Sequence, residues 1–174
     1  MTPFNPDIFK MGYIILYRND KSFFGNSIRA KQVSAGFSLD DADYVHCEIS
    51  GGGELSVNIS PPISKLVKIT EAHKGRYVKL MRFKNADYEA GKRYKVAYFS
   101  AALCNKSYDI KGILSFLFKW IKQDNRLYFC SEGAAYSLRM CFPVALGPKE
   151  NSEIMPASFL GEEFENMWEG IIPI

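Results

Sequence analysis

Three consecutive glycines, Gly51 to Gly53, separate two stretches in which apolar and polar residues alternate. Tyr44 to Ser50 reads Tyr-Val-His-Cys-Glu-Ile-Ser, and Glu54 to Ser60 reads Glu-Leu-Ser-Val-Asn-Ile-Ser. Period-two alternation on both sides of a glycine turn predicts a β-hairpin. Side chains two apart on a strand share a face. Val45, Cys47 and Ile49 then form one face of the first strand, and Leu55, Val57 and Ile59 one face of the second. Both apolar faces must meet one core, so odd positions pair with odd positions. A turn centred on Gly52 sets His46 opposite Asn58 and Glu48 opposite Ser56. A slip of two residues would instead bring His46 to Ser56 or Ser60. Directly opposed residues have Cβ atoms roughly 4.5–5.5 Å apart. In the first register His46 and Asn58 share a hydrogen bond on the polar face, with Glu48 beside them.

The rest of the chain predicts strands at Gly12–Tyr17 and Tyr77–Phe83. Helices are predicted over Ser22–Ser34 with Ser22 as N-cap, over about Tyr88–Asn105, Tyr108–Lys122 and Ser131–Phe142, and as a short helix near Ala157–Phe164. Phe37–Asp43 reads as an acidic loop, and Pro61 and Pro62 end the second hairpin strand. Strands cluster first and helices later, so the class is α+β. The 174 residues suit one domain, 1–174, with 148–174 as a C-terminal extension packed on it. That tail ends in Ile171, Ile172 and Ile174 and could alternatively serve as an interaction segment.

The formal charge of +3 comes from 22 Lys plus Arg against 19 Asp plus Glu. Scattered as these residues are, they form no basic stripe for nucleic acid. No run approaches the roughly 18 apolar residues that a spanning helix needs. The first residues lack a signal-peptide core, so the chain is expected to be cytoplasmic when synthesised. Cys47, Cys104, Cys130 and Cys141 form no C-x-x-C pair and are expected as free thiols.

Cys130 stands apart from the other cysteines. It follows the apolar Leu127-Tyr128-Phe129 and precedes Ser131-Glu132-Gly133-Ala134, which places it at a helix start. There the helix dipole and unpaired N–H groups favour a thiolate and an oxyanion. Glu132 must then point away from the thiol. A metal site from Cys47, His46 and Cys130 is disfavoured, because Cys47 and His46 point to opposite faces of their strand. His73, in a loop with Glu71, Lys74 and Arg76, receives no role.

A histidine on a strand, a polar residue on the next strand and a later cysteine at a helix start form a set in His-first, Cys-last order. With Gly12-Tyr-Ile-Ile-Leu, Tyr44-Val-His-Cys-Glu-Ile, Tyr108-Asp109 and Tyr128-Phe-Cys-Ser-Glu, this order resembles the circularly permuted NlpC-type papain-like proteins. That group includes the YiiX-like branch and is related to the lecithin retinol acyltransferase-like enzymes. The resemblance covers roughly residues 10 to 142. It implies a permuted papain-like fold, with a small antiparallel sheet or half-barrel packed against helices. It implies a cysteine hydrolase (peptidase or amidase) or acyltransferase, with Cys130 as nucleophile, His46 as base and Asn58 as orienter. Members commonly carry Glu as the third polar group, which makes Glu48 the alternative; Glu54 lies next to the turn and is the weaker candidate. Ser131, Tyr44, Tyr128 and Tyr13, within the quoted motifs, are expected at the substrate and oxyanion. The implied substrates are peptides, peptidoglycan-derived peptides or lipid amides, with no cofactor and no metal. The family often has Gly-Asp where Gly12-Tyr13 stands, and Gly-Ile after His-Val where Cys47-Glu48-Ile49 stands. A non-catalytic binding or assembly module on the same fold is the rival expectation.

Overall fold

The computed structural model describes residues 3–84, 90–109 and 128–174. They form an α+β structure. Six strands, β1 (Ile14–Arg18), β2 (Tyr44–Gly52), β3 (Leu55–Asn58), β4 (Lys65–Lys68), β5 (Tyr77–Phe83) and β6 (Phe164–Ile171), make one antiparallel sheet. Their order is β4-β3-β2-β1-β5-β6. The helices are α1 (Phe23–Ser34), α2 (Ile69–Ala72), α3 (Ala90–Ala101) and α4 (Cys130–Arg139). The helix predicted over 108–122 lies outside the described residues, apart from its first two.

β1 is a run of apolar residues because it sits between β2 and β5 and is covered on both sides. Ile14 and Leu16 join Cys47, Ile49, Met81 and Phe83 against α3 and α4, through Val96, Ala134, Ala135 and Leu138. Ile15 and Tyr17 join Val78 and Leu80 against Phe9, Ile69, Trp168 and Ile172. A third group, Ile28, Val45, Val57, Ile59, Leu103, Tyr108 and Phe129, closes the sheet at the β2–β3 side. Residues on both faces of a central strand thus leave water, and the alternation expected of a half-exposed strand disappears.

The hairpin forms, but its register is the two-residue slip. Ile49 pairs with Val57 and Ser50 with Ser56, and a bulge lies between Ser50 and Gly52. Gly52 and Gly53 take φ of +97° and +59°, left-handed values that glycine adopts without a Cβ clash. The bulge takes up an extra residue and moves the turn towards Leu55. Continued outward, this register sets Glu48 opposite Asn58 and His46 opposite Ser60. The expected His46–Asn58 pairing is therefore corrected.

Ser22 caps α1 as expected, its hydroxyl accepting from the Gly25 N–H at 3.1 Å. Gln32 then ties α1 to the rest. Its Nε2 donates to the Ala42 and Tyr44 carbonyls at 2.8 and 2.9 Å, and its Oε1 accepts from the Ala157 N–H at 2.8 Å. Every arm of this fully buried amide is used, as burial of an amide requires.

The C-terminal tail departs from expectation. Near Ala157–Phe164 the chain makes a short 3-10 helix, Pro156–Leu160, and then enters the sheet as β6 along the whole of β5. Trp168 packs on Phe9 at 5.6 Å and on Phe4 at 5.9 Å between ring centroids. The tail packs on the domain as an edge strand of the sheet. Its apolar residues were legible, but the alternation of Phe164, Trp168 and Gly170 inward is too broken to reveal a strand. The β4 strand and the four-residue α2 likewise carry too little local signal. No helix among the described residues is long and apolar enough to cross a membrane.

Candidate active site

Cys130 is the first residue of α4, after the extended Phe129. The helix begins there because Gly133 N–H closes on the Phe129 carbonyl at 2.9 Å. The N–H groups of that first turn have no acceptor within the helix and point towards its start. Small residues bring this turn close to the sheet. A Cβ on Gly133 would stand 2.3 Å from Ile59 Cδ1, so any larger residue would require the Ile59 side chain to move.

Cys130 and His46 line one cavity of 490 Å³, near enough for each to shift the other's pKa. Tyr17, Asn58, His73 and Tyr108 also face it, with an apolar wall of Phe24, Ile28, Val45 and Pro61. His46 Nε2 lies 3.3 Å from Glu48 Oε1, its neighbour on the same face of β2. With Nε2 so engaged, Nδ1 is the ring nitrogen left for the thiol.

Glu48 is fully buried and its four lone-pair directions are all occupied. Oε1 also meets His73 Nε2 at 2.7 Å. Oε2 accepts from the Tyr17 hydroxyl at 3.0 Å and from the Ser56 hydroxyl. The Tyr17 ring packs 4.3 Å from the His73 ring and 5.6 Å from the His46 ring, so one tyrosine braces both imidazoles. Both histidines of the chain meet at one carboxylate. Burial alone would raise the Glu48 pKa, but hydrogen bonds from His46 and His73 outweigh it and lower it to about 2.

The groups around the sulfur separate in the same way. Burial works against a charged His46, yet the Cys130 thiolate and Glu48 raise its pKa to about 10. The Cys130 thiol is pushed well below its ordinary value, first by a hydrogen bond from the Cys47 thiol, then by the His46 charge, both against burial. Cys47 moves the opposite way, raised by burial and by the neighbouring Cys130, so it remains a thiol that donates. The arrangement favours a thiolate–imidazolium pair backed by a buried carboxylate. Among the described residues no group of three or more His, Cys, Asp or Glu is placed to hold a metal ion. All four cysteines are free.

Of the residues singled out in the sequence, Cys130, His46, Glu48 and Asn58 converge. Asn58 faces the cavity but makes no bond to His46, and Glu48 occupies the orienting place. The side chains of the four residues expected at substrate and oxyanion lie outside the cavity lining. Ser131 is buried and its hydroxyl donates to the Ile154 carbonyl at 2.6 Å. Tyr44 sits beneath Arg18 and Lys79, at 5.5 and 5.1 Å from its ring centre. Tyr128 packs on Tyr136, and Tyr13 lies under Arg93 in the core of the opposite sheet face. None of these four side chains lines the cavity. Glu132 is also outside its lining. The tyrosines that do face it are Tyr17 and Tyr108. His73 was missed because its approach to Glu48 joins positions 25 apart through the sheet, and nothing in its own loop signals it.

Neither a scan of protein-family models nor a search of curated proteins finds a match to this chain.

Proposed function

We propose that this protein is a thiol-dependent hydrolase or acyltransferase acting on an amide or ester carbonyl, on a permuted papain-like fold. The observation that carries the reading is that Cys130, at the start of a helix, lines one cavity with His46, whose ring is bonded in turn to the buried Glu48. A helix-borne cysteine packed on an antiparallel sheet that carries the histidine is also the arrangement that the resemblance implies.

In this reading the Cys130 thiolate attacks the substrate carbonyl. A C–S bond forms and the carbonyl π electrons move to oxygen, towards the N–H groups of the first turn of α4. The tetrahedral species collapses as His46 gives its proton to the departing amine or alkoxide. The C–N or C–O bond breaks and a thioester remains on Cys130. Neutral His46 then takes a proton from water or another acceptor, which attacks the thioester and releases the thiolate. Glu48 keeps Nε2 protonated and the ring oriented through both steps.

The test is the rate of thiol alkylation by iodoacetamide against pH, read cysteine by cysteine by mass spectrometry. Wild-type Cys130 is expected to react fast at and below neutral pH, well under the ordinary thiol value of about 8.5. His46→Ala is expected to remove this behaviour. A slow Cys130 with an ordinary profile overturns the enzyme reading in favour of a binding module, and ligand capture by a Cys130→Ala variant becomes the next measurement.

A further inference from the structure

Asn58 differs from Tyr17, Ser56 and Glu48, whose side chains bond to one another beside it. Its side chain is 7% exposed and lines the cavity. Yet its Oδ1 is buried without a hydrogen-bond partner, and no hydrogen bond holds its side-chain amide among the described residues. The contrast is with Gln32, a buried amide on the same molecule whose arms are all satisfied. Glu48, beside Asn58 in the sheet register, fills its lone pairs with Tyr17, Ser56, His46 and His73 instead. A buried amide left unheld is costly for folding, and such a group in a site marks a partner that arrives from outside. Because no bond fixes its orientation, rotation about χ2 can turn either the oxygen or the NH₂ to the cavity without breaking a protein hydrogen bond.

An asparagine side chain carries one donor group and one acceptor, the complement of a secondary amide's C=O and N–H. The cavity wall next to it, Phe24, Ile28, Val45 and Pro61, is apolar. The charged group nearby, Arg76, is already committed: its Nη1 lies 3.1 Å from Asp20 and its Nη2 donates to the Arg18 carbonyl at 2.6 Å. The site thus offers a neutral hydrogen-bonding group beside an apolar wall and the nucleophile.

We propose that Asn58 is a specificity-determining residue that reads an amide next to the scissile carbonyl, so that the preferred acyl donor is an N-acylamino (peptidyl) group with an apolar side chain rather than a plain acyl chain. This rests on the reading of Cys130 as nucleophile. Asn58 then plays no part in orienting His46.

The experiment compares two activated esters on the full chain. N-acetyl-phenylalanine p-nitrophenyl ester carries the amide; p-nitrophenyl 3-phenylpropanoate has the same ring without it. Cys130 displaces p-nitrophenolate from each and keeps the acyl group as a thioester, so the coloured burst gives the acylation rate. Rates are corrected for the solution reactivity of each ester. Wild type is expected to favour the first ester roughly 10-fold or more, the scale of one good hydrogen bond to a group that is otherwise unpaired. Asn58→Leu removes the unheld amide at similar volume. It is expected to fold with an unfolding midpoint equal to or above wild type, and to bring the ratio near one while still acylating with the plain ester. A wild-type ratio near one overturns the proposal, as does a preference that survives in Asn58→Leu. Should Asn58→Leu fail to fold, Asn58→Ala and the wild-type ratio decide in the same way. If neither ester acylates wild-type Cys130 and iodoacetamide finds it unreactive, the hydrolase reading itself falls, which is a different result from a lost preference.

Discussion

Glu48 is the residue on which the cluster depends. It is a buried carboxylate held by two imidazoles and two hydroxyls, and removing such a partner leaves several polar groups unpaired at once. Glu48→Ala is expected to destabilise the fold by about 3–5 kcal/mol, as for other broken buried charge networks, measured by urea unfolding. Glu48→Gln keeps the shape but not the charge. It is expected to retain most of the stability while moving the Cys130 alkylation midpoint upward, because the imidazolium loses its counter-charge. The pH dependence follows from the signs. Glu48 falls from 4.5 to about 2, so its contribution is present above pH 4.5 and is lost as pH falls through 2. His46 rises from 6.5 to about 10, so its contribution is complete below pH 6.5 and fades as pH climbs through 10. Stability from this pair is therefore greatest between about pH 4.5 and 6.5. Between neutral pH and 9 the depressed Cys130 thiol works in the opposite sense to His46, so the test lies on the acid side: urea unfolding should give a higher midpoint at pH 5.5 than at pH 3, and an equal or higher midpoint at pH 3 would contradict the Glu48 assignment. Which residues belong to the cluster was partly legible. His46 and Glu48 share a strand face by period alone, and Cys130 announced itself by the apolar lead-in and small residues that follow. His73 did not, since its partner is reached only through folding.

At the scale of elements, α4 against the sheet is the joint that brings sulfur and imidazole together. Gly133 governs that distance. In an isolated helix Gly→Ala gains about 1 kcal/mol. Here the added Cβ would sit 2.3 Å from Ile59 Cδ1 and 3.2 Å from Leu103 Cδ1, so the sign reverses. Gly133→Ala is expected to lower stability by about 1–3 kcal/mol and to slow Cys130 alkylation at neutral pH, by urea unfolding and the same labelling assay. Strands and helices with a full local pattern were readable: β5 at Tyr77–Phe83, α1 with its Ser22 cap, and the β2–β3 hairpin. The hairpin register was not, because odd-to-odd pairing admits steps of two. A bulge beside left-handed glycines then chose the step, and with it Glu48 rather than Asn58 as the neighbour of His46.

At the scale of the molecule, the last segment completes the sheet. β6 pairs along all of β5, and Phe159, Phe164, Trp168 and Ile172 supply core on both faces. A chain ending at Lys149 would bare the β5 edge and those cavities together. It is expected to aggregate or to lose cooperative unfolding, checked by gel filtration and circular dichroism; a compact monomer with wild-type spectra would show that the segment is dispensable. Sequence alone determined the α+β class, the cysteine at a helix start and a histidine and glutamate on one strand face, because periodicity and capping act over a few residues. Only the tertiary structure decided that His73 and Tyr17 brace Glu48, that Asn58 is left unheld at the cavity, and that the tail is a strand. Those outcomes depend on pairings between distant segments, whose register and packing are set by the whole core at once.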